Sequence, residues 1–226
     1  MTSRPPAADL VIFDLDGTLA DTAPDIAAAL NQTLGDVGLP PLPVETVIGY
    51  VGDGAANLIE RALPPEAHAL DRAPLLEAFL AHYEARPCVG SRLYPGIQTL
   101  LDALNAAGVA TAVLTNKTGF VARRLLQVIL PRQSFVAVIG DRDGFPRKPD
   151  PAAGRHIIER ARTTPDRTVM IGDGLPDQRL AHALGVRSLA AGWGYTPRAR
   201  LAAESPTWLA DDPTAAQAAL FGAAPP

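Results

Sequence analysis

Short apolar runs alternate with amphipathic segments along most of the chain. Leu10–Phe13 is a continuous apolar run containing β-branched residues, a pattern that predicts a strand buried on both faces. Four similar runs follow at residues 109–114, 135–139, 168–171 and 186–190. Between them, helical patterns cover residues 97–104, 121–129, 152–161 and 177–184. Strands that alternate with helices predict an α/β fold, a parallel sheet with helices on both faces.

The alternation stops for about seventy residues after the first strand. Residues 22–93 show no strand pattern, and such an interval is too long for a loop. Its apolar residues recur at helical spacing in three stripes: Ile26, Leu30, Leu34 and Val37; Leu58, Ile59 and Leu63; Leu76, Phe79, Leu80 and Tyr83. We therefore expect an α-helical cap at residues 21–94, inserted into a core of residues 1–20 and 95–226. After Asp212 we expect a short helix and a frayed end.

Composition narrows the class of protein. The 226 residues are 47% hydrophobic, enough for a core, and the net charge of −4 argues against a nucleic-acid-binding face. One cysteine, Cys88, excludes an internal disulfide and a cysteine-rich zinc site. No apolar run approaches the roughly 20 residues of a membrane span, and residues 1–9 show no signal-peptide core. We expect a soluble cytoplasmic protein without a membrane partner, as a monomer or a homodimer.

Candidate site residues follow four of the predicted strands. They are Asp14, Asp16, Gly17 and Thr18; Thr115, Asn116 and Lys117; Lys148; and Asp173 with Asp177. Because ligands bind beyond the carboxyl ends of parallel strands, we expect these residues at one edge of the sheet. Crowded carboxylates repel one another unless a cation lies between them, and oxygen ligands suit Mg²⁺. A lysine supplies a point charge for a phosphate group.

The positions of the lysines also indicate that this edge of the sheet is a functional site. The chain has 2 lysines against 18 arginines, and both lysines, Lys117 and Lys148, belong to these strand-end segments. A compact ammonium differs chemically from a planar guanidinium, which suggests a local requirement for lysine at one or both positions. Chance is the alternative explanation.

Each segment also has an ordinary structural explanation. Asp14 and Asp16 suit a turn, Thr115 suits a helix N-cap, Lys148 suits a solvated loop, and Asp173 and Asp177 suit the start of a helix. Only their combination favours a reactive site.

The combination resembles a known family. Asp14-Leu15-Asp16-Gly17-Thr18, Thr115-Asn116, Lys148-Pro149 and Gly172-Asp173 with Asp177 resemble, in order, the four motifs of the haloacid dehalogenase-like hydrolases. Inner segments look like the phosphoglycolate phosphatase branch: Gly49 to Gly54, Leu58 to Leu63, Tyr94-Pro95-Gly96, Thr115-Asn116-Lys117 and Gly192-Trp193-Gly194-Tyr195. The resemblance implies a Rossmann-like parallel sheet core with an inserted α-helical cap. It also implies a phosphatase for a small phosphorylated metabolite, with 2-phosphoglycolate as the leading substrate.

The resemblance also implies a role for each residue. Asp14 would be the nucleophile, Asp16 the general acid and base, and Lys148 the cation that neutralises developing charge. Asp14, the Asp16 carbonyl and Asp173 would bind Mg²⁺, and Asp177 would orient a metal-bound water or Lys148. Substrate-binding groups would come from Thr115, Asn116, Gly17 and Thr18, including backbone amides.

Two residues depart from the family pattern. Gly174 replaces a small hydroxyl or amide residue, and Asp53 replaces a common asparagine, adding a charge near an anionic substrate. Two alternative functions fit the same motifs: a sugar phosphomutase of the same superfamily and a non-catalytic sensor of phosphorylated ligands. A haloacid dehalogenase fits less well, because that branch needs no metal and lacks an aspartate at the position of Asp16. We expect Trp193 and Tyr195 to pack at the core edge, and Arg61 to be solvated.

Overall fold

The computed structural model describes residues 7–86 and 88–222. In these ranges the strands are β1 (Leu10–Phe13), β2 (Ala20–Asp21), β3 (Arg92–Leu93), β4 (Ala110–Thr118), β5 (Val138–Asp141), β6 (Thr168–Gly172), β7 (Arg187–Ala191) and β8 (Trp208–Ala210). The α-helices are α1 (Ala23–Asp36), α2 (Val44–Ile48), α3 (Ala55–Ala62), α4 (Arg72–Ala85), α5 (Ile97–Ala106), α6 (Gly119–Ile129), α7 (Ala152–Arg160), α8 (Leu175–Leu184), α9 (Arg198–Ala203) and α10 (Pro213–Phe221).

Six strands form one parallel sheet in the order β5-β4-β1-β6-β7-β8. All four residues of β1 are fully buried, because its side chains alternate between two apolar layers. Val11 and Phe13 join the cluster under α5, α6 and α10, whereas Leu10 and Ile12 join the cluster under α7 and α8. The predicted parallel α/β fold is confirmed.

Helices α1 to α4 lie between β2 and β3 and share a hydrophobic cluster, to which Val121 of α6 also belongs. Ile26 and Leu30 of α1 pack there with Phe79 and Tyr83 of α4. The chain leaves and re-enters the sheet through the antiparallel pair β2–β3, in which Asp21 lies opposite Arg92. The helical insert therefore has two adjacent connections to the sheet.

The differences from the predicted elements have physical reasons. Strands β2, β3 and β8 have two or three residues each, too few to give an apolar pattern. β5 begins at Val138 rather than at residue 135, and β4 runs four residues beyond its predicted end. Val128, which lies within the helical pattern predicted at residues 121–129, is 56% exposed and does not join the core.

The ends of the chain are partly described. Helix α10 confirms the helix predicted after Asp212, and the frayed end expected beyond it falls on residues 223–226, outside the described residues. Most of the segment 1–9 lies outside them as well. In the part of the chain that the structure describes, no helix combines the length and apolar character needed to cross a bilayer.

A buried carboxylate fastens α1 to the segment before β3. Asp25, 5% exposed, accepts hydrogen bonds from the backbone amides of Val89, Gly90 and Ser91 at 2.8–3.1 Å and from the Ser91 hydroxyl at 2.6 Å. Burial opposes ionisation of Asp25, but these four donors together hold its pKa below the usual value. The charge therefore stabilises the connection between the helical insert and the sheet.

We expect Asp25→Asn to lower the free energy of unfolding by about 2–3 kcal/mol at pH 7, because an amide nitrogen would face backbone donors. A depressed folded-state pKa contributes stability above the unfolded-state pKa and loses it as the pH falls through the folded-state value. Urea unfolding should therefore show the full difference at pH 7 and a smaller one below about pH 4. Asp36→Asn, at the exposed end of the same helix, is the control; an equal loss there would contradict the role of Asp25.

Candidate active site

The carboxyl ends of β1, β4 and β6 lie side by side and carry the candidate residues. Asp14 follows β1, Thr115 and Lys117 lie in β4, and Asp173 follows β6. A cavity between this edge and the helical insert is lined by these four residues and by Lys148, among others. The sheet order explains the meeting, since β1 pairs with both β4 and β6. The topology therefore brings these residues together at one edge of the sheet, as expected.

Lys148 joins two of the carboxylates. Its Nζ lies 2.9 Å from Asp14 Oδ1 and 2.6 Å from Asp177 Oδ1. Burial disfavours the ammonium, but Asp14 and Asp177 together raise the pKa of Lys148, so that it is a cation at neutral pH. Of the two functions offered for Asp177, this geometry shows direct contact with Lys148.

Asp14 has one engaged and one free oxygen. Its Oδ1 accepts hydrogen bonds from the Leu15 amide at 2.7 Å and from Lys148. Among the described residues, no donor reaches Oδ2, although Asp14 lines the cavity. A carboxylate oxygen without a hydrogen-bond partner at the cavity is available to a metal ion or to an electrophile.

The cluster carries more negative charge than the protein compensates. Asp14, Asp173 and Asp177 each place a carboxylate oxygen within 4.8 Å of the other two. Burial raises the pKa of Asp14 to about 6, against the effect of Lys148. Burial and the charges of Asp14 and Asp177 raise the pKa of Asp173 to about 8. A divalent cation with oxygen ligands fits this donor set, because it would compensate the buried negative charge and the repulsion between the carboxylates.

Gly17 and Thr18 surround Asp173. Thr18 is fully buried, and its hydroxyl donates to Asp173 Oδ1 at 2.8 Å and accepts from the Asp173 amide at 3.0 Å. Gly17 has a φ of +78°, and a Cβ there would lie 2.3 Å from Asp173 Oδ2. The structure thus places the side chain of Thr18, which we expected to bind substrate, against a carboxylate of the site.

Asn116 holds together three segments around the cavity. Its amide nitrogen donates to the carbonyls of Gly52 at 2.9 Å and Lys148 at 3.2 Å, and its oxygen accepts from the Lys148 amide at 2.8 Å. Thr115, 3% exposed, accepts a hydrogen bond from the Lys117 amide at 3.2 Å and also lines the cavity. Of these two expected substrate-binding residues, Asn116 therefore has its side chain occupied by protein groups.

Asp16 lies beside Lys117, for which the sequence motifs gave no specific role. Asp16 Oδ1 accepts hydrogen bonds from the Thr22 hydroxyl at 2.6 Å and from Lys117 Nζ at 2.8 Å. Lys117 also donates to the Tyr83 hydroxyl of α4 at 2.7 Å. The signal that singled out Lys117 in the sequence was the scarcity of lysine.

Tyr195 is a second residue whose part in the site was missed. Its amide donates to Asp173 Oδ2 at 2.8 Å, and its hydroxyl accepts from the amides of Thr22 and Ala23 at 2.8 and 2.9 Å. Tyr195 therefore connects the site to the start of α1, a contact that the predicted packing at the core edge did not include. Trp193 does pack against the core, and its indole nitrogen donates to the Thr18 carbonyl at 3.0 Å.

The two departures from the family pattern have local explanations. The Gly174 amide donates to Asp177 Oδ2 at 2.9 Å, and a Cβ at Gly174 would lie only 3.1 Å from that oxygen. Asp53 forms an exposed ion pair with Arg61, so its charge is compensated within the helical insert. Arg61 is exposed, as expected.

Comparison with known proteins agrees with the geometry. A sequence model described as haloacid dehalogenase-like hydrolase matches residues 11–191. A phosphoglycolate phosphatase of Agrobacterium fabrum is 42% identical over 228 residues, covering 98% of this chain and 95% of the relative. One of Rhodospirillum rubrum is 39% identical over 82% of this chain and 80% of the relative. The crystal structure of a predicted phosphoglycolate phosphatase from Haemophilus somnus superposes with a TM-score of 0.82 at 30% identity, covering 91% of this chain and 95% of that one.

Proposed function

Since the chain belongs to the haloacid dehalogenase-like hydrolase family, we propose that it is a Mg²⁺-dependent phosphatase that hydrolyses 2-phosphoglycolate. The observation that carries the chemistry is Asp14, a carboxylate with Oδ1 held by Lys148 and Oδ2 free at the cavity. The relatives named phosphoglycolate phosphatase support the choice of substrate.

The first half-reaction transfers the phosphoryl group to Asp14. Asp14 Oδ2 attacks phosphorus, an oxygen–phosphorus bond forms, and the bond to the ester oxygen breaks. The leaving oxygen takes a proton from Asp16 and departs as an alcohol. Lys148 neutralises Asp14 and the phosphoryl oxygens as charge moves, and its fixed position between Asp14 and Asp177 avoids reorganisation.

The second half-reaction restores the enzyme. Asp16 takes a proton from a water molecule, whose oxygen attacks phosphorus and displaces the Asp14 carboxylate. Inorganic phosphate leaves, and Asp16 again carries a proton for the next turnover. Thr22 and Lys117 hold Asp16 in place through both steps.

The acidic cluster supplies the metal ligands in this proposal. Asp14, the backbone carbonyl of Asp16 and Asp173 would hold Mg²⁺, while Thr18 and Tyr195 orient Asp173. When bound, the ion would neutralise the carboxylates and polarise a phosphoryl oxygen.

We assign residues 1–20 and 95–226 to the catalytic core and residues 21–94 to a cap that covers the cavity. The hydrophobic cluster formed mainly by α1 to α4 and the paired connections at β2 and β3 support this division. Ile26, Leu58 and Phe79 of the insert line the cavity, which supports a function in excluding water. A cytoplasmic location agrees with the single free thiol, Cys88.

Phosphate release from a panel of monoesters tests the proposal. We expect 2-phosphoglycolate to give the highest kcat/KM among this substrate, glucose 6-phosphate, AMP and p-nitrophenyl phosphate. A chelator should lower turnover on the order of 100-fold or more, and added Mg²⁺ should restore it, since a metal ion supplies several kcal/mol of transition-state stabilisation.

The other outcomes are distinct. A different leading ester would leave the chemistry intact and overturn the substrate assignment. Isomerised sugar phosphate in place of free phosphate would indicate a phosphomutase, and binding of esters without turnover would indicate a sensor.

A further inference from the structure

The cavity has two cationic side chains among its described lining residues, and their surroundings differ. Lys148 contacts two carboxylates, those of Asp14 and Asp177. Lys117 has one carboxylate partner among the described residues, Asp16, whose Oδ1 also accepts a hydrogen bond from Thr22. Lys117 is therefore the less compensated of the two cations that face a bound substrate.

The position of Lys117 makes this imbalance important. Its side chain is 5% exposed, and it lies 4.3 Å from the ring centre of Tyr83 while donating to the Tyr83 hydroxyl. The neighbouring cavity wall is apolar and is formed by Ile26, Leu58, Phe79, Leu80 and Val121. A buried ammonium beside an apolar wall favours an anionic ligand, because water and other polar groups are scarce there.

The geometry of the proposed reaction brings the leaving group to Lys117. Asp16 must reach the ester oxygen to protonate it, which requires a separation of about 2.6–3.2 Å. Lys117 Nζ lies 2.8 Å from Asp16. In 2-phosphoglycolate the carboxylate carbon is two covalent bonds from the ester oxygen, so a substrate that Asp16 protonates carries its carboxylate within reach of the same ammonium.

We propose that Lys117, together with the Tyr83 hydroxyl, binds the carboxylate of the leaving group and so selects esters that carry an anion two bonds from the ester oxygen. This inference rests on the proposed function and deepens it. The substrate carboxylate would share Lys117 with Asp16, and Tyr83, which accepts from Lys117, has its own proton to donate. A core lysine and a cap tyrosine would then determine specificity jointly.

Paired substrates separate this role from simple positioning of Asp16. Ethyl phosphate has the same chain as 2-phosphoglycolate, with a methyl group in place of the carboxylate. Loss of the contact to Asp16 in Lys117→Met should lower kcat/KM for both esters by a common factor. Loss of the ion pair with substrate should lower the value for 2-phosphoglycolate at least a further tenfold, mostly through KM.

Two variants complete the test. Lys117→Arg keeps the charge and should retain more of the preference than Lys117→Met, and Tyr83→Phe should reduce the preference a few-fold. Thermal unfolding checks that each variant is folded. If Lys117→Met does not fold, the wild-type protein still decides, because a preference of less than tenfold for 2-phosphoglycolate over ethyl phosphate would overturn the inference.

The two proposals can fail separately. If the wild type hydrolyses 2-phosphoglycolate best but Lys117→Met lowers both esters equally, Lys117 only positions Asp16 and the inference is wrong. If the wild type releases no phosphate from 2-phosphoglycolate while hydrolysing another ester, the proposed substrate is wrong and the inference falls with it.

Discussion

Replacing Asp14 by asparagine is expected to abolish phosphate release, with a fall in kcat on the order of 10⁴–10⁶-fold. An amide is not a nucleophile toward phosphorus at neutral pH, and no other described carboxylate combines an ion pair with Lys148 and a free oxygen at the cavity. The shape of the side chain is unchanged, so the fold should persist. Steady-state phosphate release with 2-phosphoglycolate and excess Mg²⁺ measures the effect.

Asp9→Asn is the matched control for Asp14→Asn. Asp9 directly precedes β1 and forms an exposed ion pair with Arg167, at the opposite end of the strand from Asp14. The control should keep wild-type activity to within about twofold, as expected of a surface substitution. Activity that persisted in folded Asp14→Asn would refute the nucleophile assignment, because then a water molecule or another residue would attack phosphorus.

The sequence predicted the strands and helices in which burial follows a regular pattern along the chain. The strand β1 was predicted because all of its residues are buried and therefore apolar, and the positions of Asp14 and Asp173 then followed from the ends of parallel strands. The pair β2–β3 was missed for two reasons. Each strand has only two residues, and the two strands lie about seventy positions apart in the chain.

Side-chain direction could not be predicted in the same way. Thr18 lies in a motif that suggested substrate contact, yet it is fully buried against Asp173 because Gly17 turns the chain there with a positive φ. The scarcity of lysine indicated that Lys117 matters, but its partner Tyr83 belongs to the distant helix α4. The spacing of polar residues within one strand carries no information about such a contact.

Replacing Lys148 by methionine is expected to be the most damaging change to stability and activity together. Lys148 is 6% exposed and is the ion-pair partner of Asp14 and Asp177. Removing one side of a buried ion pair costs about 3–5 kcal/mol, because the remaining charges are left without compensation. The same loss should lower kcat on the order of 10²–10³-fold, since the transferring phosphoryl group loses a fixed cation.

Unfolding in urea with chelator present isolates the contribution of Lys148, because bound Mg²⁺ would offset part of the repulsion between the carboxylates. Arg179→Met, on α8, is the control, because it removes an exposed ion pair with Glu204 and should leave the midpoint unchanged. An added Asp177→Asn should restore part of the stability of Lys148→Met, because one of the two unpaired buried charges disappears, but it should not restore activity. A double variant no more stable than Lys148→Met would show that the cost comes from lost packing, and Lys148 would then not be the residue that makes this acidic cluster compatible with the core.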